Sequence, residues 1–234
     1  IDIIPGSSGV KRIADLNQTQ AHTLVKAFLD LEDYDYFILD TSCDMSSQVL
    51  SFCMASHEII LVATCETTSL TNAYSMLKLL SKHQYELPVS VVINQAMSGK
   101  FAKKAYDQLK ELVNKFLPIK IQPLGVVASD KNVRAAIISQ TPFVILFPDT
   151  IASKCINSIT RKLLNKTGQI RVMPLELFWD KCMSFLKKHH KPEKEPVSQK
   201  SEAKKQKEQD PDIKKALFNI ESRLSILTKE VSGI

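Results

Sequence analysis

The chain has 234 residues, of which 44% are hydrophobic and 24% charged, the profile of one large soluble domain or of one domain with a tail. No apolar run approaches the roughly 18 residues that a spanning helix needs, and the opening IDIIPGSSG has neither the basic start nor the apolar core of a signal peptide. The net charge is +6, but the 48 residues from Lys187 on hold 12 basic and 8 acidic side chains, so the body is close to neutral and no nucleic-acid groove is expected.

In chain order, short apolar runs alternate with longer helical patterns. Ile1–Ile4 is the first candidate strand. Gln18–Leu31 follows as a helix with Ala21, Leu24, Val25, Phe28 and Leu31 on one stripe. Tyr36–Leu39 is the next strand, and it ends on Asp40. Ser46–Ala55 is predicted helical. Then come strand Glu58–Ala63, helix Thr68–Lys82, strand Val89–Ile93, helix Lys100–Phe116 and strand Ile121–Val127. Lys131–Ser139 and Thr150–Leu164 are helical patterns, with Phe143–Phe147 as a weaker strand between them. The strands are short, rich in Val and Ile, and lack polar alternation, as strands buried on both faces of a parallel sheet do. Strand–helix alternation of this kind predicts an α/β fold, a mostly parallel twisted sheet with helices on both faces.

In such a sheet, ligands bind beyond the carboxyl ends of the strands. Those ends are Pro5–Gly9, Asp40–Asp44, Thr64–Ser69, Asn94–Ser98 and Ala128–Asn132, and four of them are rich in Ser, Thr, Asn or Asp. For any one loop, ordinary turn chemistry accounts for that composition. Their joint order is what points to a site.

After Leu164 the pattern changes. Met173–Leu186 is a last helix of the body, with Leu177, Phe178, Met183 and Phe185 available for packing, and Trp179 is read as a packing residue. Residues 187–211 contain almost no apolar side chain and are expected to be a flexible charged linker. His189 and His190 fall at its start with no third ligand nearby, so they mark no metal site. In residues 212–234, Ile213, Leu217, Ile220, Leu224, Leu227 and Val231 recur at spacings of four and three, an a/d seam of about three heptads. An isolated helix of this length is marginal in water, so it should have a partner. The protein's own body, a second copy or another protein, and a membrane surface are the three possibilities. Five cysteines, Cys43, Cys53, Cys65, Cys155 and Cys182, stand singly with no CxxC pair. They suggest neither a zinc site nor a disulfide framework, and a reducing cytoplasm fits.

The segments IDIIPGSSG, YDYFILDTSCDMS, HEIILVATCETTSLTNAYSMLKLL, VSVVINQA and LGVVASDKNVRAA, in that order, resemble the second half of the MinD/ParA-like P-loop ATPases, and among them the flagellar-number regulators of the FlhG group. The resemblance covers residues 1–165 or so, and the expected α/β body is residues 1–186. It implies ATP and magnesium as ligands. Asp40 would be the Walker B carboxylate, holding Mg through water; Asn94 would read adenine, Ala128, Ser129 and Asp130 would flank the base, and Glu66 would lie near a dimer interface. It also implies an ATP-dependent homodimer, a cytoplasmic location with peripheral contact at the inner face of the membrane, and a role in placing or counting a structure such as flagella. The departures are specific. No GxxxxGK[ST]-type loop occurs among the six glycines. Ser42-Cys43-Asp44 replaces the family's Gly-Ala-Gly, which puts a carboxylate where a phosphate would approach. Asn72, Cys65 and Ala128 replace an Asp and two prolines. An upstream P-loop in a longer protein, or a degenerate relative kept as a non-catalytic scaffold, would each explain this. As it stands, the chain is expected not to hydrolyse ATP.

Overall fold

The structure is a computed structural model that describes residues 2–4, 13–31, 34–167 and 173–189. The a/d seam of residues 213–231, most of the predicted linker and the Pro5–Gly9 loop lie outside the described residues. The chain divides into two compact units.

In one unit, described from Asp2 to His57 and again from Met173 to His189, the elements are helical. A short 3-10 turn at Ile13–Asp15 precedes α1 (Gln18–Leu29) and α2 (Ser47–Ala55). Asn17 opens α1 with a capping box: its side chain accepts the Gln20 N–H while the Gln20 side chain accepts the Asn17 N–H. Ser46 caps α2 by accepting the Val49 N–H at 3.3 Å. The last described helix of the chain, Leu175–His189, also belongs here. Its apolar face, Phe178, Trp179, Cys182 and Leu186, is buried against Ala55 and Phe52 of α2 and Leu24, Val25 and Phe28 of α1. Trp179 is therefore a core residue, as the sequence implies, tilted against Phe28 with ring centroids 4.9 Å apart. The Cys182 Sγ lies 3.3 Å from Ser51 Oγ in the same core.

The other unit, described from Glu58 to Thr167, is the α/β part. Its elements are β1 (Ile60–Ala63), α3 (Thr67–Lys82), β2 (Val89–Ala96), α4 (Gly99–Phe116), β3 (Ile121–Ala128), α5 (Asn132–Ile138), α6 (Phe143–Leu146) and α7 (Ile151–Thr167); the helix Leu175–His189 of the first unit is α8. The three strands form one parallel sheet in the order β1-β2-β3. β2 is central, and Val89 through Ile93 are buried on both faces. α7 lies over the face that carries Val92 and Leu124; Val91 and Ile93, pointing the other way, are equally buried. Gly125 permits that packing, because a Cβ there would stand 2.4 Å from Ile159 Cγ1 of α7. Pro123 sits on β3, an edge strand among the described residues, where its missing N–H breaks no inner ladder. A polar row crosses the opposite end of the sheet: Ser90 Oγ donates to Glu58 Oε1 at 2.7 Å and accepts from Gln122 Nε2 at 3.1 Å.

Three expected strands are corrected. Phe143–Phe147 is the short helix α6, opened by Pro142, whose carbonyl accepts the Ile145 and Leu146 N–H groups. The described parts of Ile1–Ile4 and Tyr36–Leu39 join no strand ladder. Their apolar side chains are exposed, Ile38 at 90%. An extended segment becomes a strand only when its backbone donors and acceptors meet a neighbour, and among the described residues these two segments have none.

Candidate functional site

The carboxyl ends of β1, β2 and β3 lie side by side on one rim of the α/β unit. The register puts Ala63 beside Ile93 and Ala96 beside Ala128. The Ser129 N–H then donates to the Ala96 carbonyl at 2.9 Å, which carries the β3 end against the β2 end. Thr64, Asn94 and Ser129–Asp130 are thus brought together by parallel pairing alone.

Each loop is held by its own local bonds. After β1, the Thr64 N–H donates to Ser69 Oγ at 2.9 Å, and Thr64 Oγ1 accepts the Glu66 N–H at 3.3 Å. This tight turn starts α3. Glu66 stands at the N-cap position but makes no side-chain cap bond, and it is exposed. Between them, burial pushes the Cys65 thiol pKa up, so it stays protonated at neutral pH. On β2 the ladder shifts register between Ile93 and Ala96, and Gln95 adopts φ 55°, a left-handed conformation unusual for glutamine. The Gln95 N–H donates to Asn94 Oδ1 at 2.9 Å. Asn94 is half-buried, and the bond fixes its amide with a donor NH2 group to offer a ligand. After β3, Asp130 Oδ1 accepts the Asn132 N–H at 2.9 Å and so opens α5. Ala128 is half-buried and Ser129 is exposed.

Asp40 lies in the first unit, exposed, just after the apolar run Tyr36–Leu39. Downstream, Asp44 is engaged: it accepts the Ser42 hydroxyl and the Ser46 N–H, both at 2.9 Å, at the start of α2. Among the described residues no group of three or more His, Cys, Asp and Glu could hold one ion. A magnesium ion that keeps most of its water can be held by a single carboxylate with a ligand phosphate, and Asp40 fits that kind of site.

Sequence reasoning placed Asn94, Ala128, Ser129, Asp130 and Glu66 on loops of this rim. It missed Thr64 as the residue that ties the β1 turn, and the bulge with Gln95 that sets Asn94. The polar pair Thr64 and Ser69, five apart across a strand end, was a readable signal for the first. No residue type signalled the second.

The chain is 30% identical over 164 residues to the antiactivator FleN of Pseudomonas aeruginosa, covering 70% of this chain and 59% of FleN. Over that span the chain is similar to the MinD/ParA-like FlhG family. It is 23% identical to the flagellum site-determining protein YlxH of Helicobacter pylori, over 79% of this chain and 64% of YlxH. It is also 23% identical to an uncharacterized ATP-binding protein, MJ0547, of Methanocaldococcus jannaschii, over 69% of this chain and 58% of that one. The chain spans about three fifths of the length of the curated relatives it matches. No family model matches it. Among solved structures, the MinD cell division protein of Aquifex aeolicus aligns with TM-score 0.49 and 15% identity, covering 68% of this chain and 63% of MinD. Among the described residues, no helix is long and apolar enough to cross a membrane.

Proposed function

We propose that this chain is the nucleotide-sensing part of a MinD/FlhG-like switch that controls the placement or number of a cellular structure such as flagella. The observation that carries the reading is the shared rim of β1, β2 and β3, where parallel pairing gathers Thr64, Asn94 and Ser129–Asp130. Relatives described as a flagellar site-determining protein, an antiactivator and an ATP-binding protein support it.

On this reading ATP is the ligand. Asn94 offers its amide to the purine edge, Ala128 to Asp130 flank the base, and Asp40 holds magnesium through water. The nucleotide with its metal would supply the charge that closes a homodimer, with Glu66 near the contact. The tail beyond residue 212 would carry the state of the switch to a protein partner or a membrane surface.

Titration calorimetry on the natural full-length protein tests the proposal. Magnesium-dependent ATP binding is expected, weakened about tenfold by Asn94→Ala through the loss of one hydrogen-bonding group. Asp40→Ala should abolish most ATP turnover while leaving the fold intact. A protein that binds no ATP with magnesium present contradicts the nucleotide reading.

One observation favours a second reading, a non-catalytic scaffold. Asp44 is engaged as a turn residue ahead of α2, accepting the Ser42 hydroxyl and the Ser46 N–H, a structural use for the position where the family keeps glycine. Full affinity for its protein partner without any nucleotide would support that alternative.

A further inference from the structure

Among the described residues, three that are not glycine hold a positive φ, and all are glutamines: Gln84 at 61°, Gln95 at 55° and Gln140 at 49°. Two of them close helices. Gln84 follows the His83 cap of α3, and the Tyr85 N–H reaches back to the Leu80 carbonyl at 3.0 Å. Gln140 follows the Ser139 cap of α5, and the Thr141 N–H reaches the Ala136 carbonyl at 3.2 Å. A left-handed residue just past a helix end satisfies the last carbonyls in this way. Gln95 ends no helix. It lies inside β2 (Val89–Ala96), where the backbone is otherwise extended and a left-handed residue with a side chain is strained.

The strained turn changes the ladder around it. Ile93 pairs with Val126 and Ala96 with Ala128, so β2 takes three steps where β3 takes two. The extra residue is a bulge, the device by which a strand re-aims a side chain. A regular ladder would set Asn94 beside Val127, on the face where Val92, Leu124 and Ile159 are buried. An amide there would lose water without gaining a partner. Instead Asn94 stays half-buried at the rim, with its Oδ1 accepting the Gln95 N–H at 2.9 Å. On the other side of the same turn, the Ala96 carbonyl returns to the ladder and accepts the Ser129 N–H at 2.9 Å. One left-handed residue therefore joins the Asn94 side chain to the β3 loop.

We propose that Gln95 is a positioning residue of the rim: its left-handed turn aims the Asn94 amide and ties the Ser129–Asp130 loop to it, so that both loops meet a purine base as one preset unit. This role rests on the nucleotide reading and adds to it the residue that prearranges the contact. A preset pair of loops binds more tightly than two loose ones, because less ordering remains to be done when the ligand arrives. Gln95 is exposed, and its backbone N–H rather than its side chain makes the bond to Asn94. What the position requires is therefore a residue that tolerates φ near 55°. Glycine and asparagine do, whereas a β-branched residue such as valine does not.

Two measurements on the natural full-length protein test this. Amide exchange followed by NMR reads the joint without nucleotide, and calorimetry with MgATP reads its use. Gln95→Val is expected to speed exchange of the Ser129 amide about tenfold, while the amides of Val91, Val92 and Ile93 keep their protection and so show that the sheet is intact. The same variant should weaken MgATP binding about tenfold, and by less when Asn94→Ala has already removed the amide that the turn aims. Gln95→Gly and Gln95→Asn, which accept the turn, should rescue both values to within about threefold of the unchanged protein. Three results overturn the positioning role: Ser129 exchange or MgATP affinity unchanged in Gln95→Val, an equal loss in the glycine and asparagine variants, or loss of protection along Val91–Ile93 as well. A full-length protein that binds no MgATP overturns the nucleotide reading and this role with it. The Ser129 exchange then still shows whether the joint exists, which tells the two failures apart.

Discussion

Val89–Ile93 and Tyr36–Leu39 read alike in the sequence: each is a short apolar run that ends on a polar residue, Asn94 or Asp40. In the structure they have opposite fates. Val91 is 1% exposed in the middle of a sheet, with β1 and β3 on either side. Ile38 is 90% exposed and, among the described residues, joins no strand. Apolar composition marks a segment as able to be buried; hydrogen-bonded neighbours decide whether it is. That contrast also sorts the candidate site. Asn94 is held by a paired strand and a bulge, whereas Asp40 follows a segment that no ladder among the described residues fixes.

Perturbing the paired region should be costly. Leu77→Ala, in the part of α3 with no exposed surface, is expected to lose about 2–5 kcal/mol in denaturant unfolding, from lost burial and the cavity left behind. A loss under about 1 kcal/mol would mean that this core is loosely packed. Gly125→Ala should cost about 1–3 kcal/mol, because its Cβ would meet Ile159. Combined with Ile159→Ala, part of that cost should disappear, and a double-mutant cycle measures the coupling; strict additivity would show that α7 does not press on β3.

The helical unit offers a pH test. Burial pushes the Cys53 thiol up to about 11. A raised thiol pKa keeps the folded chain protonated where the unfolded chain has already ionised. The associated stability is therefore intact below pH about 9 and is lost as pH climbs toward 11, by on the order of 2 kcal/mol. Unfolding curves at pH 8 and 10.5, compared with Cys53→Ala, should show that slope vanish in the variant; an identical slope in both would place its origin elsewhere. The smallest effect is expected at Ile38. Ile38→Ala should change stability by less than about 0.5 kcal/mol. A loss of 2 kcal/mol or more would show that Tyr36–Leu39 is buried after all, and would dissolve the contrast with β2.

Helix positions were legible because they rest on local chemistry. Asn17, Ser46 and Ser98 each cap the helix that follows, and the 3.6-residue stripes of α3 and α4 end within one residue of their predicted limits. The strands Glu58–Ala63, Val89–Ile93 and Ile121–Val127 were legible as short segments rich in Val and Ile. Phe143–Phe147 misled because an equally apolar run follows Pro142, whose carbonyl accepts the first helical N–H groups. Of the site, the loops were readable but not their internal bonds. Asp130 serves α5 through Asn132 and Asp44 serves α2 through Ser46, roles that depend on backbone positions no residue pattern specifies.

The central claim is that the ends of β1, β2 and β3 form one nucleotide-binding rim. Hydrogen exchange of the natural full-length protein with and without MgATP tests it most directly. The account predicts slowed exchange in all three loops together, around Thr64–Ser69, Asn94–Ser98 and Ala128–Asn132. Nucleotide that binds while those loops exchange unchanged, or that slows only one of them, would contradict it.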